Sequence, residues 1–457
     1  MLSPEASDTP QRRQRGRAGR LACLFAAAAT AGLAACGGGD RIERGQIGAV
    51  TGFAGLVAAD EPHAALAARD ILSAGGTAAD AAVAAAFTMS VTLPSSAGIL
   101  GGGVCLVHGA KQGKVEVLEF LPGFAPNDGA SRFPAAVPGL PRGMYALHAK
   151  YGALRWESLL GPAEQMARLG YPASRALAKE FVAGGAVLRN DIEAVRTFAD
   201  REGMSPGEGS TLVQPNLGAS IARIRMRGVG DVYQGLMARD LVAAYRRAGF
   251  ALSMEALRDY RPRWLEPMTA MRGNEVVAVP PAGLPGAETL EVYTAASGGG
   301  AGPDQGGQPA PGSSGLVVVD NEGSAVACVL IMNGPFGTGR MAPGTGMMIA
   351  APPPQPGMVR QPVGLLMSIN PNVKEFHFAG AAGGTAAASS VGRIAARALT
   401  QGGDIGTALG EVISGRDEIS GLVSVAHCAQ GIPPNPGSCR VVTDSRSGGL
   451  GMVVGRK

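Results

Sequence analysis

A helix drawn through residues 77–93, T-A-A-D-A-A-V-A-A-A-F-T-M-S-V-T-L, is apolar on nearly every side. Such a helix cannot lie on a surface and must be enclosed by other elements. A chain of 457 residues is long enough to build the layered core that this requires. Pro94 ends the helix, and the Gly75-Gly76 pair separates it from an earlier one. Asp60 and Pro62 read as the start of that earlier helix, with His63 as a helix-start residue. Residues 48–59 before it read as a strand. After Pro94 the run S-S-A-G-I-L-G-G-G-V-C-L-V-H-G turns into a strand, and K-V-E-V-L-E-F-L pairs with it across the turn A-K-Q-G-K. Ser95, Ser96 and Gly101 to Gly103 read as a structural turn.

From Val137 to about residue 262 apolar residues recur at three and four, so this half is helical, with loops near 203–212 and 226–232. The strand N-E-V-V-A-V-P-P follows. Residues 295–315 then become a Gly/Pro/Gln-rich run that lacks the apolar surface to order itself. By composition alone the run is a linker. Two valine-rich segments around D-N-E-G come next and predict a hairpin. Further on, V-K-E-F-H-F-A-G-A-A-G-G-T is a strand entering a glycine turn, A-A-A-S-S-V-G-R-I-A-A-R-A-L a helix, and the last segments short strands.

The junction between run and hairpin holds the chemistry. Ser313 and Ser314 stand there between Gly312 and Gly315. Cleaving the Gly312–Ser313 bond would make Ser313 N-terminal, and its free amine could serve as base for its own hydroxyl. An α-amine has an ordinary pKa of about 7.7–8.0, suited to that task near neutrality. Gly312 leaves the backbone before the serine free to bend.

The first 35 residues read as a lipoprotein signal peptide. Five arginines precede the apolar run L-A-C-L-F-A-A-A-A-T-A-G-L-A-A-C, which is short for a bilayer span and ends in L-A-A-C-G-G-G-D. Cys36 would be lipidated, residues 36–48 would form a flexible tether, and the chain would sit in a bacterial periplasm on a membrane, expected to be the outer one. Those arginines, against Glu5 and Asp8, account for three of the formal +4 charges, so the rest carries no nucleic-acid footprint. Cys105 and Cys328 lie in apolar strands and read as buried thiols. Cys428 and Cys439 flank a turn-rich loop where an oxidising compartment permits a local disulfide. No cysteine–histidine spacing calls for a metal, and nothing calls for an organic cofactor.

The order of short motifs resembles the γ-glutamyltranspeptidase family. G-G-T-A-A-D-A-A-V-A-A-A, P-S-S-A-G-I-L-G-G-G, H-A-K-Y-G, W-E-S-L-L-G-P-A and L-G-Y-P-A-S come first; S-S-G-L-V-V-V-D, M-N-G-P-F-G-T-G, A-G-A-A-G-G-T and T-D-S-R-S-G-G follow. The resemblance runs from about residue 48 to the C-terminus. It implies an α/β fold, the αββα four-layer sandwich of N-terminal-nucleophile hydrolases. It also implies a precursor that cuts itself into two fragments, 49–312 and 313–457, with 295–312 as a disordered pre-cleavage segment. The substrate would be a small amide of γ-glutamyl type. The family's nucleophile falls on Ser313 and its second hydroxyl on Ser314. Asn333 falls on a substrate-binding asparagine, and Gly383 and Gly384 on the oxyanion pair.

The departures concern substrate recognition. Where the family has its carboxylate-clamping arginine, this chain has Leu121, followed by Pro122 and Gly123. Arg132 and Arg142 are the replacements considered. Gly364-Leu365-Leu366 replaces a serine pair, and the I-A-A-P-P-P run near 349–354 replaces an acidic segment. γ-Glutamyl specificity is therefore in doubt, and two readings stand. One is a self-cleaving amidohydrolase or acyltransferase. The other is a non-catalytic tethered lipoprotein that keeps the fold as a binding or scaffold module.

Overall fold

In the computed structural model the described residues are 52–126, 129, 131–199, 205–300, 312–353, 362–414 and 422–455. The signal peptide, Cys36, the tether and most of the pre-cleavage run lie outside them. Thirteen strands build the two main sheets: β1 Gly55–Ala59, β2 Gly102–Gly109, β3 Lys114–Glu119, β4 Arg263–Leu265, β5 Met268–Arg272, β6 Glu275–Val279, β7 Ser313–Asp320, β8 Ala325–Ile331, β9 Val363–Asn370, β10 Glu375–Gly383, β11 Leu422–Ile432, β12 Cys439–Thr443 and β13 Leu450–Val454. The first sheet runs β13-β1-β7-β8-β2-β3-β4 and the second β5-β6-β9-β10-β11-β12, antiparallel throughout.

Alternation along the strands decides the layers. On β7, Leu316 and Val318 face a helical layer, while Val317 and Val319 face Leu365, Met367, Ala379 and Ala381 of the second sheet. Strands buried on both faces read as continuous apolar runs, which is how β7 and β8 appear in the sequence. Helices α1 (Pro62–Ser73) and α2 (Ala78–Thr92) cover the first sheet. Three others, α4 (Thr289–Ser297), α5 (Ala387–Thr400) and α6 (Ile405–Ile413), belong with the outer face of the second. The result is the expected αββα sandwich; the helix between these groups that matters below is α3 (Arg175–Gly184).

Every residue of α2 is buried. Its start is fixed by a reciprocal box: the Asp80 amide donates to the Thr77 hydroxyl at 3.2 Å, and the Thr77 amide to the Asp80 carboxylate at 3.1 Å. Asp320, at the end of β7, accepts the Ala78 amide at 3.0 Å and thereby ties the β7–β8 hairpin to the same helix.

Two sequence expectations change. Cys105 and Cys328 are not free thiols: β2 and β8 place them directly opposite, and they form a disulfide. Which strands 223 residues apart become neighbours is set by the sheet, not by either local pattern. Cys428 and Cys439 also face each other across β11 and β12 and are bonded. Asp60 does not start α1. Glu61 is the cap, its carboxylate accepting the Ala64 amide at 2.8 Å. This leaves the Asp60 carboxylate for a different task.

Candidate functional site

Ser313 is the first residue of β7, paired with Ile331 of β8, and is 8% exposed. Its hydroxyl accepts the Gly384 amide at 3.2 Å. Gly384 lies just past β10 with φ +97°, a conformation that glycine adopts without penalty, and that turn aims the N–H at the serine. Gly383 closes against Ser313 so tightly that a Cβ there would sit 2.4 Å from the serine carbonyl oxygen and 2.7 Å from its Oγ. The nucleophile candidate and the glycine pair, 70 residues apart in the chain, therefore meet at the end of the inter-sheet core. Gly383→Ala is expected to push Ser313 out of place and slow cutting by about 100-fold, followed as fragment appearance on a denaturing gel.

The peptide ahead of Ser313 is held at several points. The Gly312 carbonyl accepts the Met332 amide at 2.8 Å. The Gly312 amide donates to the Ser96 hydroxyl at 3.2 Å. Gly312 has φ +126°, and a Cβ on it would meet the Gly334 carbonyl carbon at 2.5 Å, so only glycine fits. Ser96 donates in turn to Glu180 of α3 at 2.8 Å, and Ser95 donates to the same carboxylate.

Ser314 points the other way, as alternation requires. It donates to Asp60 at 3.0 Å; the Gly315 amide donates to the same oxygen at 2.7 Å and Ser424 of β11 to the other at 3.0 Å. Asp60 thus joins the first sheet to the second directly beneath the candidate nucleophile. Burial pushes its carboxyl up to about 7 despite these donors. Glu180 is likewise pushed up to about 7 by burial, with the nearby Asp60 adding to the shift and the two serine hydroxyls opposing it. Both carboxyls border a cavity of about 450 Å³.

A second cavity, of about 260 Å³, is lined in part by Ile331, the β8 partner of Ser313, and by Asn333. Asn333 has φ +59° and donates through Nδ2 to the Ala351 carbonyl at 3.0 Å. Leu121, at the position where an arginine was missed, lines this cavity, together with Arg261, Arg263 and Glu119. Neither arginine considered from sequence does. Arg142 lies over the Tyr233 ring at 3.9 Å, and its Nη1 donates to the carbonyls of Leu257, Arg258 and Tyr260. Arg132 lies over Phe133 at 5.2 Å. Gly364 has a packing reason, since a Cβ there would meet the Ala387 carbonyl oxygen of α5 at 2.2 Å. Among the described residues no cluster of His, Cys, Asp and Glu could hold a metal ion, and no helix is long and apolar enough to cross a membrane.

Sequence reasoning missed Asp60, Glu180, Ser424, Arg261 and Arg263. Each looks like an ordinary cap, surface charge or loop hydroxyl until the sheets bring it to β7 or to the cavity.

The αββα sandwich, with Ser313 at the start of a central strand, is the fold of N-terminal-nucleophile hydrolases. A cephalosporin acylase from Bacillus halodurans has the same fold: TM-score 0.68, with 99% of each chain covered at 21% identity. The Gamma-glutamyltranspeptidase family model matches residues 64–298, more than half of the chain, and the protein belongs to that family. Two relatives are glutathione hydrolase 3 of Arabidopsis thaliana, 32% identical over 50% of this chain and 38% of its own, and the glutathione hydrolase proenzyme of Pseudomonas aeruginosa, 32% identical over 50% and 42%. The chain thus spans less than half the length of these relatives.

Proposed function

We propose that the protein is a self-processing amidohydrolase or acyltransferase whose nucleophile is Ser313. The observation that carries this reading is the pairing of the Ser313 hydroxyl with the Gly384 amide, next to a Gly312 carbonyl already held by the Met332 amide. In the first reaction Ser313 Oγ attacks the Gly312 carbonyl carbon. The C–N bond breaks, the amine of Ser313 takes up a proton, and an ester remains. Water then cleaves the ester, leaving a Gly312 carboxylate and a free Ser313 amine. In the second reaction that amine accepts the hydroxyl proton as Oγ attacks a substrate amide, and backbone N–H donors steady the developing oxyanion. One such donor contributes about 2.7–4 kcal/mol to a transition state of this type.

The test is direct. The purified protein should run as two fragments split between Gly312 and Ser313 on a denaturing gel. A chain that stays whole through long incubation at neutral pH, with no amide hydrolysis, supports the scaffold reading instead. The proposal includes anchoring through lipidated Cys36, and Cys36→Ser is expected to move the protein from the membrane fraction to the soluble fraction.

A further inference from the structure

We propose that Glu180 is a positioning residue of self-cleavage: through Ser95 and Ser96 it holds the Gly312 peptide in the bent form that Ser313 attacks. The inference rests on the self-cleavage reading and adds to it a residue outside the nucleophile and its amide donors.

The buried acid calls for a reason. Glu180 lies on α3 with its side chain buried, and neither the attack nor the oxyanion step described above uses it. A buried carboxyl costs stability unless partners satisfy it. Its partners here are the two hydroxyls of one short turn, Ser95 and Ser96, with Ser96 donating at 2.8 Å. The cations that line the same cavity are engaged elsewhere. Arg175 pairs with Glu208 at 3.3 Å, Arg446 pairs with Asp444 at 2.9 Å, and Lys179 donates to the Arg446 carbonyl at 2.9 Å.

The same turn faces the peptide that is to be cut. Ser96 Oγ accepts the Gly312 amide at 3.2 Å, and the Ser95 carbonyl accepts the Phe336 amide at 2.9 Å. Phe336 belongs to the loop whose Gly334 backbone presses on Gly312. Its ring lies 4.9 Å from that of Phe181, the residue after Glu180. Helix α3 therefore reaches Gly312 from two sides, by a hydroxyl on its N–H and by the loop against its Cα. The Met332 amide holds the Gly312 carbonyl, so both polar groups of this residue are fixed at φ +126°. Intramolecular attack depends on that kind of fixed approach.

The hydrogen bonds also have a direction. An ionised carboxylate only accepts, so both hydroxyls must donate to it, and Ser96 keeps a lone pair for the Gly312 amide. A protonated Glu180 brings a hydrogen of its own, which competes for that lone pair. Burial pushes this carboxyl up to about 7, with Asp60 adding to the shift, so the grip is complete only above that pH. The other charged groups around it, Asp60, Arg175, Lys179, Glu208 and Arg446, line the same cavity. The 94–97 turn and the 333–337 loop carry no titratable side chain.

Cutting is timed after a short pulse of cell-free synthesis of the full chain under oxidising conditions. The denaturing gel contains reductant, because the bond between Cys105 and Cys328 spans the cut and would hold the fragments together. Glu180→Gln and Ser96→Ala are each expected to slow cutting about 10- to 100-fold. The double variant should be no slower than the slower single, since both act through one chain of bonds. Val182→Ala, exposed on the same helix, should cut at the wild-type rate. The wild-type rate should rise as pH passes through about 7, and Glu180→Gln should lose that rise. Asp60→Asn should keep it at a lower pH, because the neighbouring charge is gone. Cutting of Glu180→Gln at wild-type speed overturns the proposal. So does an equal loss at every pH with the rise kept, which would mean that Glu180 only supports the fold. A wild-type chain that stays whole removes the self-cleavage reading together with this one, whereas a cut wild type beside an equally fast Glu180→Gln removes this one alone.

Discussion

Replacing Ser313 by alanine is expected to leave the chain in one piece and lower amide hydrolysis by at least about 10⁴-fold. The cost to folding should be small. The hydroxyl accepts one amide, that of Gly384, and losing one such bond costs about 1 kcal/mol. A chain that melts near the wild-type temperature yet remains uncut would separate chemistry from stability. Ser313→Thr keeps the hydroxyl and should still be cut. The neighbouring serine supplies the control. Ser314 points to Asp60, away from Gly384, so Ser314→Ala should still be cut at Gly312–Ser313, at a reduced rate. Intact-mass measurement after timed incubation reads all three. Fragments of the expected masses from Ser313→Ala would show that another group attacks and would sink the assignment.

How much of this was legible in the chain depends on distance along it. Local patterns carried the elements: the capped, apolar α2 and the valine hairpin each announce themselves over fewer than twenty residues. The ordered motifs carried the sandwich and the place of Ser313. Partners from other strands stayed hidden. Cys105 and Cys328 are a pair only because β2 lies beside β8. Glu180 sits on an amphipathic helix where an acid normally faces water, and only the approach of Ser95 and Ser96 makes it an interior group. Arg261 follows a helix and looks like any surface arginine; only the fold brings it to the cavity that Leu121, two residues past β3 and about 140 residues earlier, also lines. Asp60 was misread for a related reason. An acid before a proline is a good helix start, yet the adjacent Glu61 takes that duty.

Asp60 also gives the site a pH dependence with a definite sign. Its carboxyl is pushed up to about 7 in the folded protein, far above the ordinary carboxylate value. The folded chain therefore holds a proton that the unfolded chain has lost. Stability from this group is fully present below the ordinary carboxylate value, falls as pH rises toward about 7, and is flat beyond. Glu180, raised to about 7, and Asp320, raised to about 6, act in the same direction. His427, lowered to about 4 chiefly by burial, opposes them, because below its ordinary value the unfolded chain takes up the proton first. Glu61, also raised by burial, acts with them, and His108, lowered by burial, acts with His427; four acids outweigh two histidines, so the protein should lose stability between about pH 5 and pH 7. Asp60→Asn removes one titrating group and can still accept the Gly315 amide, so the slope should flatten by up to about 1.4 kcal/mol per pH unit. Asp60→Ala should behave differently. It leaves Ser314, Ser424 and the buried Gly315 amide without their acceptor, and lowers stability at every pH by several kcal/mol, at about 1–3 kcal/mol for each stranded donor. Denaturant unfolding at a series of pH values distinguishes the cases. Parallel profiles for the wild type and Asp60→Asn would mean that Asp60 does not hold its proton in the folded chain, and that the bond joining β7 to β11 under Ser313 is made by an ordinary ionised carboxylate.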